Sequence, residues 1–289
     1  MSSMLLGLLS THPDWLPCLL DSQQEVLRVQ DPPQPGGWGI GFYQQGEVLR
    51  RLTPLERAAG PIEFRRLAHD IRSQVLVGHV RRASPAAPAS AANTHPFRFR
   101  DWLFAHLGSV PRFGEVAPRL QQNIPEFLAR NIAGQTDSEV LFHVVLTHLH
   151  ELGGLRHPEV GVDTVCEAIR RGVREADAAV AATGGEPAAF ALVLTNGTCM
   201  AAAARGEPLR IAQFDRLVDC RDCGQARRDR CGILRSERSD LRAVLVVAGP
   251  QPVPPRYETL PEESLIGIKP DATVETIPLR PSAIGLSGF

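Results

Sequence analysis

The order of strand-like and helix-like segments constrains the fold of this chain more than any other feature. Strand-like runs come first, amphipathic segments with a helical period follow, and strand-like runs then return. The predicted strands are residues 39–43, 47–52, 74–80, 102–106, 188–195, 199–205, 242–248, 265–268 and 273–277. The predicted helices are residues 61–71, 137–152 and 162–183. Strands, then helices, then strands predict two sheets with helices stacked outside them, not alternating βαβ units.

Local signals support several of these boundaries. Gln44-Gln45-Gly46 separates two strand-like runs and predicts a hairpin, as does Asn196-Gly197 between two later runs. Thr136 directly precedes the second predicted helix and is a candidate N-cap. Motif residues stand at the ends of two predicted strands, where a sheet can present chemistry.

Composition limits the class of protein. The chain has 289 residues, of which 43% are hydrophobic and 22% charged, with a net charge of −1. These values predict a globular protein and give no field that would recruit nucleic acid or an anionic membrane. No apolar run reaches the roughly 18 residues of a membrane span. Residues 4–9 are apolar but lack a preceding basic region, so we expect no signal peptide. Six cysteines in a chain of this size predict a reduced, cytoplasmic protein.

A set of short motifs is more specific than any of these properties. The set begins with a short apolar run after Met1-Ser2-Ser3 and a glycine-rich stretch, Gly36-Gly37-Trp38-Gly39-Ile40-Gly41-Phe42-Tyr43. It continues with Gly78-His79-Val80-Arg81-Arg82-Ala83-Ser84, Asn93-Thr94-His95-Pro96-Phe97, Ala105-His106-Leu107-Gly108 and Thr136-Asp137-Ser138-Glu139. In this order and at these separations the set resembles the class II glutamine amidotransferases, whose nucleophile is an N-terminal cysteine.

The resemblance implies an α+β fold, the four-layer αββα sandwich of the N-terminal-nucleophile hydrolases. We expect one such domain over residues 1–289, with the motifs inside 1–250 and the last strands completing the sandwich. It also implies glutamine or a related amino acid as ligand, with no required cofactor. No synthase domain is apparent in the sequence, so an active form would need an acceptor or synthase partner protein for the ammonia.

The resemblance also implies roles for individual residues. Arg81 stands where the family holds the glutamine α-carboxylate, and a guanidinium suits that task because it binds carboxylates bidentately. Asp137 stands where an aspartate pairs with the glutamine ammonium, although it could serve only to cap its helix. Ser84 matches a residue that lines this pocket. His95 matches a histidine that braces the nucleophile loop, although a satisfied core histidine is an equal alternative. Gly37, Trp38 and Gly39 are interpreted as scaffold.

Two departures from the family pattern affect the reactive centre. Aligning the motif without a gap puts Ser3 opposite the family cysteine, whereas removal of Met1 would expose Ser2. Leu107 stands where the family has an asparagine that donates to the oxyanion, which leaves the Gly108 N–H as the remaining donor. Loss of one oxyanion donor typically costs about 10²–10³ in rate. The sequence therefore predicts a pocket that binds its ligand with little or no hydrolysis. The alternative is an active amidohydrolase in which Ser2 or Ser3 releases ammonia from glutamine or a γ-glutamyl amide.

A cysteine cluster is the other candidate site. Cys220 and Cys223 form a C-x₂-C pair, Cys231 follows, and Cys199 lies on a nearby predicted strand. Thiolates at this spacing could hold zinc, form a redox pair or have no special role. The histidines at 143, 148 and 150 share no helix face and are interpreted as structural.

Overall fold

Two large antiparallel sheets form the centre of the molecule. A computed structural model describes residues 3–29, 36–55, 61–82, 87–157, 159–215, 241–250 and 252–280. The first sheet has seven strands: β1 (Met4–Ser10), β3 (Gly36–Gln44), β4 (Glu47–Leu55), β6 (Val75–Arg82), β11 (Leu209–Phe214), β12 (Ala243–Ala248) and β13 (Glu258–Thr259). Their order across the sheet is β13-β11-β12-β1-β6-β3-β4.

The second sheet has six strands. They are β7 (Phe97–Phe99), β8 (Trp102–Gly108), β9 (Phe190–Thr195), β10 (Met200–Arg205), β14 (Ser264–Ile268) and β15 (Val274–Pro278). Their order across the sheet is β15-β14-β10-β9-β8-β7. A small separate sheet pairs β2 (Arg28–Val29) with β5 (Ile62–Glu63).

The helices divide between the outer faces of the two sheets. They are α1 (Leu16–Ser22), α2 (Phe64–Leu67), α3 (Phe113–Gln121), α4 (Glu126–Ala129), α5 (Asp137–Glu151) and α6 (Val162–Ala181), with a 3₁₀ turn at Pro13–Trp15. Helices α3, α5 and α6 pack with the outward side chains of the six-stranded sheet in one apolar core. Helices α1 and α2 pack against the outer face of the seven-stranded sheet in a second core. Among the described residues, no helix combines the length and apolar character needed to cross a membrane.

A third core fills the space between the two sheets. It contains Leu5 of β1, Val77 of β6, Leu103 of β8, Val193 of β9 and Val246 of β12, all at most 1% exposed. The layer order is therefore helix, sheet, sheet, helix, which confirms the predicted αββα sandwich. Side chains alternate between two cores along central strands such as β1 and β9, as the two-residue period of a strand requires.

The predicted local signals explain how several elements begin and end. Gln44 pairs with Glu47 across the β3–β4 hairpin, and Gln45 and Gly46 both have positive φ, as a two-residue hairpin requires. The Thr136 side chain accepts a hydrogen bond from the Glu139 N–H at 3.1 Å, which confirms it as the N-cap of α5. Helices α5 and α6 match the predicted spans to within two residues.

The prediction of a helix over residues 61–71 was wrong. Ile62 and Glu63 form a strand with β2, and only Phe64–Leu67 is helical. The apolar spacing over 61–71 instead directs Phe64 and Ile71 into the outer core. Strands β1 and β11 and helices α1 and α3 were not predicted from the sequence.

Candidate active site

A cavity of about 760 Å³ opens at the strand ends on one side of the seven-stranded sheet. The strand register explains why distant residues meet there. Leu5 of β1 pairs with His79 of β6 on one side and with Ala248 of β12 on the other, and Ala248 in turn pairs with Leu209 of β11. The residues that continue past this row form the cavity wall: Ser3, Arg81, Glu207, Pro208, Gly249 and Pro250.

Ser3, one of the two serines predicted for the nucleophile position, lines this cavity. It lies one residue before β1, whereas Ser2 is outside the described residues. Strand alternation gives Ser3 the same face as Leu5, which is toward the opposite sheet. Leu107 of β8 also lines the cavity and packs in the inter-sheet core, with 8% of its surface exposed. The residue predicted to replace an oxyanion donor is therefore an apolar side chain at the cavity wall.

Arg81 is buried at the end of β6 and lines the same cavity. Its Nη1 donates to the Asn93 carbonyl at 2.5 Å, and its Nη2 donates to the Ala87 carbonyl at 2.7 Å. Burial lowers the pKa of Arg81, while the nearby Asp137 charge raises it. A guanidinium has five N–H donors, so these two bonds fix its position and leave donors for a carboxylate.

Asp137 lies at the first position of α5 and also lines the cavity. Its Oδ2 accepts from the Val110 N–H at 2.7 Å, and its Oδ1 accepts from the Ser138 N–H at 2.8 Å. The Gln135 N–H donates to Asn93 Oδ1 at 2.8 Å, which joins the start of α5 to the loop that holds Arg81. Asp137 therefore organises its helix terminus and still faces the cavity.

Three buried histidines line the inner part of the cavity: His79, His95 and His106. The His79 and His95 rings lie 4.2 Å apart between centroids, and His106 Nδ1 lies 2.9 Å from Ser138 Oγ. Burial lowers the pKa of all three, with that of His79 brought to about 3 by burial and by the neighbouring His106 and Arg81. These rings are therefore neutral near pH 7. Among the described residues, neither ring nitrogen of His95 has a hydrogen-bond partner. The His95 ring is therefore held by packing against its neighbours, which include the His79 ring.

Gly39 explains how the glycine-rich stretch serves the site. A Cβ at this position would lie 2.0 Å from the His95 carbonyl oxygen. The segment that carries His95 therefore crosses β3 at a distance that only glycine permits. Trp38 packs at the edge of the outer core, on the other face of the same strand. Gly108 lines the cavity with φ near 134° and has no room for a Cβ beside the Ala189 carbonyl.

Sequence reasoning missed part of the cavity wall. Glu207, Arg210 and Gly249 lie on or beside β11 and β12, and β11 was not predicted. His79 and His106 stood inside the quoted motifs but were given no role. The signal that could have found the first group is the short, mostly apolar run of residues 209–214, which is compatible with a strand covered on both faces.

The cysteine cluster and one pocket residue cannot be placed. Ser84, Cys220, Cys223 and Cys231 lie outside the described residues. Cys199 is buried, and burial raises the pKa of its thiol to about 11, which disfavours the thiolate that a metal needs. Within the described ranges, no group of three or more histidine, cysteine or acidic side chains is arranged to hold a metal ion. Zinc binding stays a prediction.

The sequence matches the family model for class II glutamine amidotransferases over residues 4–216, more than half of the chain. The chain belongs to this family. The matched span contains the cavity residues from His79 to Arg210, whereas Ser3, Gly249 and Pro250 lie outside it. The predicted resemblance is confirmed.

Individual relatives agree with this assignment. A probable glutamine amidotransferase of Saccharomyces cerevisiae, DUG3, is 31% identical over 127 residues, which are 42% of this chain and 35% of that protein. The gamma-glutamyl-hercynylcysteine sulfoxide hydrolase of Mycolicibacterium smegmatis is 33% identical over 76 residues, 26% of this chain and 34% of that protein. The chain spans between 31% and 41% of the length of the curated relatives it matches.

Solved structures show the same fold. A class II domain protein from Silicibacter pomeroyi, described as a glutamine aminotransferase, superposes with a TM-score of 0.59 at 16% identity. That match covers 96% of this chain and 100% of the other. The glutamine phosphoribosylpyrophosphate amidotransferase of B. subtilis gives 0.52 at 14% identity, over 96% of this chain and 49% of that one. At these identities the two structures show that the chain shares their fold.

Proposed function

We propose that this class II amidotransferase domain binds glutamine or a related γ-glutamyl compound and hydrolyses it slowly or not at all. The observation that carries the proposal is the composition of one cavity wall. Arg81 and Asp137 offer opposite charges to the two ends of an amino acid, while Leu107 and Ser3, the residues predicted to replace an oxyanion donor and a thiol, line the same cavity.

The charged groups support binding because both are anchored before any ligand arrives. Arg81 is fixed by two backbone carbonyls and Asp137 by two backbone N–H groups. A preorganised pair loses little side-chain entropy on binding, which favours affinity. The α-carboxylate of the ligand would pair with Arg81 and its ammonium with Asp137.

The reactive groups support slow chemistry. A serine hydroxyl needs an adjacent base to become a nucleophile, and the neighbouring histidines are buried and lie in a tightly packed cluster. The buried Leu107 side chain offers no donor to a developing oxyanion. Ammonia, if released, would need an acceptor enzyme, and we propose such a partner only for the active form. A cytoplasmic setting belongs to the proposal on the sequence argument alone.

Calorimetry with L-glutamine tests the binding step. We expect Asp137→Asn to weaken binding about 10- to 100-fold, because a charge-assisted hydrogen bond to the ammonium is lost. Asp137 is a better probe than Arg81, whose replacement would also free the loop carbonyls of Ala87 and Asn93. The matched control is Asp163→Asn, which alters an exposed aspartate in the first turn of α6. If the unaltered protein binds neither glutamine nor a γ-glutamyl amide such as γ-L-glutamylethylamide, the proposal is refuted.

A second candidate function is hydrolysis by Ser3, favoured by its position in the cavity. Ammonia release from glutamine, with Ser3→Ala as control, measures it. Mass spectrometry of the mature N-terminus shows whether residue 3 carries a free amine that could act as base. Robust turnover that depends on Ser3 would replace the binding-only proposal with this one.

A further inference from the structure

The two charged groups at the cavity come from different layers of the sandwich. Arg81 lies at the end of β6 in the seven-stranded sheet, whereas Asp137 begins α5, which packs outside the six-stranded sheet. Among the described strands, none pairs across the two sheets, so no hydrogen-bond register sets the spacing of these side chains. Their spacing depends on the segments that bridge the layers.

Arg81 and Asp137 influence each other without pairing. Burial lowers the pKa of Arg81, and the Asp137 charge raises it. Each side chain is nevertheless bonded to backbone groups, and in the part of the chain that the structure describes the two form no ion pair with each other. If the guanidinium and the carboxylate met, each would neutralise the other and neither would be left for a ligand. A pocket for an amino acid therefore requires that the two groups stay apart.

Asn93 connects the two groups. It is buried, with 3% of its surface exposed, in the segment between β6 and β7. Its backbone carbonyl accepts from Arg81 Nη1 at 2.5 Å, and its side-chain Oδ1 accepts from the Gln135 N–H at 2.8 Å. Gln135 precedes Thr136 and Asp137 in the sequence. One residue therefore contacts both the Arg81 guanidinium and the segment that leads into Asp137.

The contact between the two segments is close and anchored on both sides. A Cβ added at Gly134 would lie 2.5 Å from Asn93 Oδ1 and 2.6 Å from the Ala92 carbonyl oxygen. The Asn93 amide is oriented by a second bond, from Nδ2 to the Pro88 carbonyl at 3.0 Å. On the α5 side, the Gly134 N–H donates to the Glu139 carboxylate at 2.6 Å. The Asn93 side chain therefore joins two segments that are each held in place.

We infer that Asn93 is a positioning residue that sets the separation of Arg81 and Asp137, and thereby selects ligands that carry an α-carboxylate and an α-ammonium together. The inference rests on the proposed function, in which these two side chains hold the two ends of the ligand. Asn93 is not among the residues that line the cavity, so it acts through the segment at Gln135. Without its side-chain bond the start of α5 can move relative to Arg81, and the preorganisation of the pair is lost.

Calorimetry with three ligands tests the inference. They are L-glutamine, glutaramate, which lacks the ammonium, and 4-aminobutanamide, which lacks the carboxylate; the two analogues are measured by competition with glutamine. We expect the unaltered protein to bind glutamine about 10- to 100-fold more tightly than either analogue, because each analogue lacks one charge-assisted interaction. Asn93→Ala keeps the backbone carbonyl that holds Arg81, and it should reduce both ratios about 10-fold, because the two charged groups no longer have a fixed separation.

Two further variants separate the side-chain bond from general stability. Asn93→Asp keeps an acceptor for the Gln135 N–H and loses the donor to Pro88, so it should retain the preference for glutamine over glutaramate. Thr94→Val removes the bond from Thr94 Oγ1 to the Ser90 carbonyl in the same buried segment, and it should leave both ratios unchanged. If Asn93→Ala does not fold, Asn93→Ser gives the same comparison, because its hydroxyl is too short to reach the Gln135 N–H.

The outcomes separate this inference from the proposed function. Unchanged ratios in Asn93→Ala, with glutamine still bound, overturn the role of Asn93 and leave the proposed function intact; this includes an equal loss of affinity for all three ligands. An equal fall of the glutaramate ratio in Asn93→Ala and Asn93→Asp assigns the effect to the Pro88 bond and also overturns the inference. If the unaltered protein binds neither these three ligands nor γ-L-glutamylethylamide, both proposals fail together.

Discussion

At the scale of single residues, Leu107 links the fold to the chemistry most directly. Leu107 lies on the same face of β8 as Leu103 and Ala105, which pack in the inter-sheet core. It also lines the cavity, as Ser3 does. A polar side chain here would meet both the core and the reacting centre. Replacing it therefore changes stability and chemistry at once, and the two effects can be measured separately.

We predict that Leu107→Asn together with Ser3→Cys raises ammonia release from glutamine above the level of either single variant. A restored oxyanion donor is worth about 10²–10³ in rate. The variants should be made in a chain in which residue 3 directly follows the initiator methionine, so that its amine becomes free. The asparagine should also cost about 1–3 kcal/mol in unfolding free energy, because part of a buried core position becomes polar. A double variant no faster than Ser3→Cys alone would show that residue 107 does not face the oxyanion.

At the scale of elements, β3 contributes to the site through Gly39, whose lack of a side chain lets the His95 segment approach the strand closely. Gly39→Ala would bring a Cβ within 2.0 Å of the His95 carbonyl, so β3 and the His95 segment must separate. We predict a loss of about 2 kcal/mol or more in unfolding free energy, in line with other overpacked core positions, and weaker glutamine binding. Urea denaturation and calorimetry measure the two effects.

Gly114→Ala is the matched control for this prediction. Gly114 lies in α3, and a Cβ added there would have no described residue within 4 Å. This variant should gain about 0.5–1 kcal/mol in unfolding free energy, because alanine is the better helix former. If Gly39→Ala is as well tolerated as Gly114→Ala, the close approach of β3 to His95 is not a constraint on the fold.

Elements also differ in how well the sequence predicts them. Helices α5 and α6 were predicted because their periodicity and the Thr136 cap are local signals. Strand β1 was missed because a central strand covered on both faces reads as a continuous apolar run without alternation. Arg210 entered the site only through the strand order, which no local pattern contains. The family motifs located Arg81 and Asp137 because those residues lie inside contiguous segments.

At the scale of the whole molecule, two kinds of histidine set opposite pH dependences of stability. Burial lowers the pKa of His79 to about 3 in the folded protein. Between about pH 6.5 and pH 3 the unfolded chain therefore binds a proton at His79 that the folded protein does not, so stability falls as the pH drops below about 6.5. His148 joins α5 to α6 through Glu175 at 2.7 Å, and this hydrogen bond raises its pKa above 6.5. Its contribution is complete below about pH 6.5 and is lost as the pH rises through the raised value.

We predict that His148→Gln lowers the unfolding free energy by about 1 kcal/mol at about pH 6 and by much less at about pH 9. Urea denaturation at the two pH values measures the difference. His157→Gln, which changes an exposed histidine beyond α5, is the control and should show no such contrast. An equal loss at both pH values would mean that the charge of His148 contributes nothing.

The position of β1 between β6 and β12 has a consequence for biosynthesis. Leu5 must pair with Ala248, so a residue made at the start of translation waits for one made near its end. At about 5–20 residues per second, that delay is on the order of tens of seconds. Such non-local pairing also makes folding slow, because the closure of a long loop precedes the contacts that reward it. The cavity around Ser3 therefore forms only after β12 has been synthesised. A nascent chain that ends before β12 lacks a complete cavity.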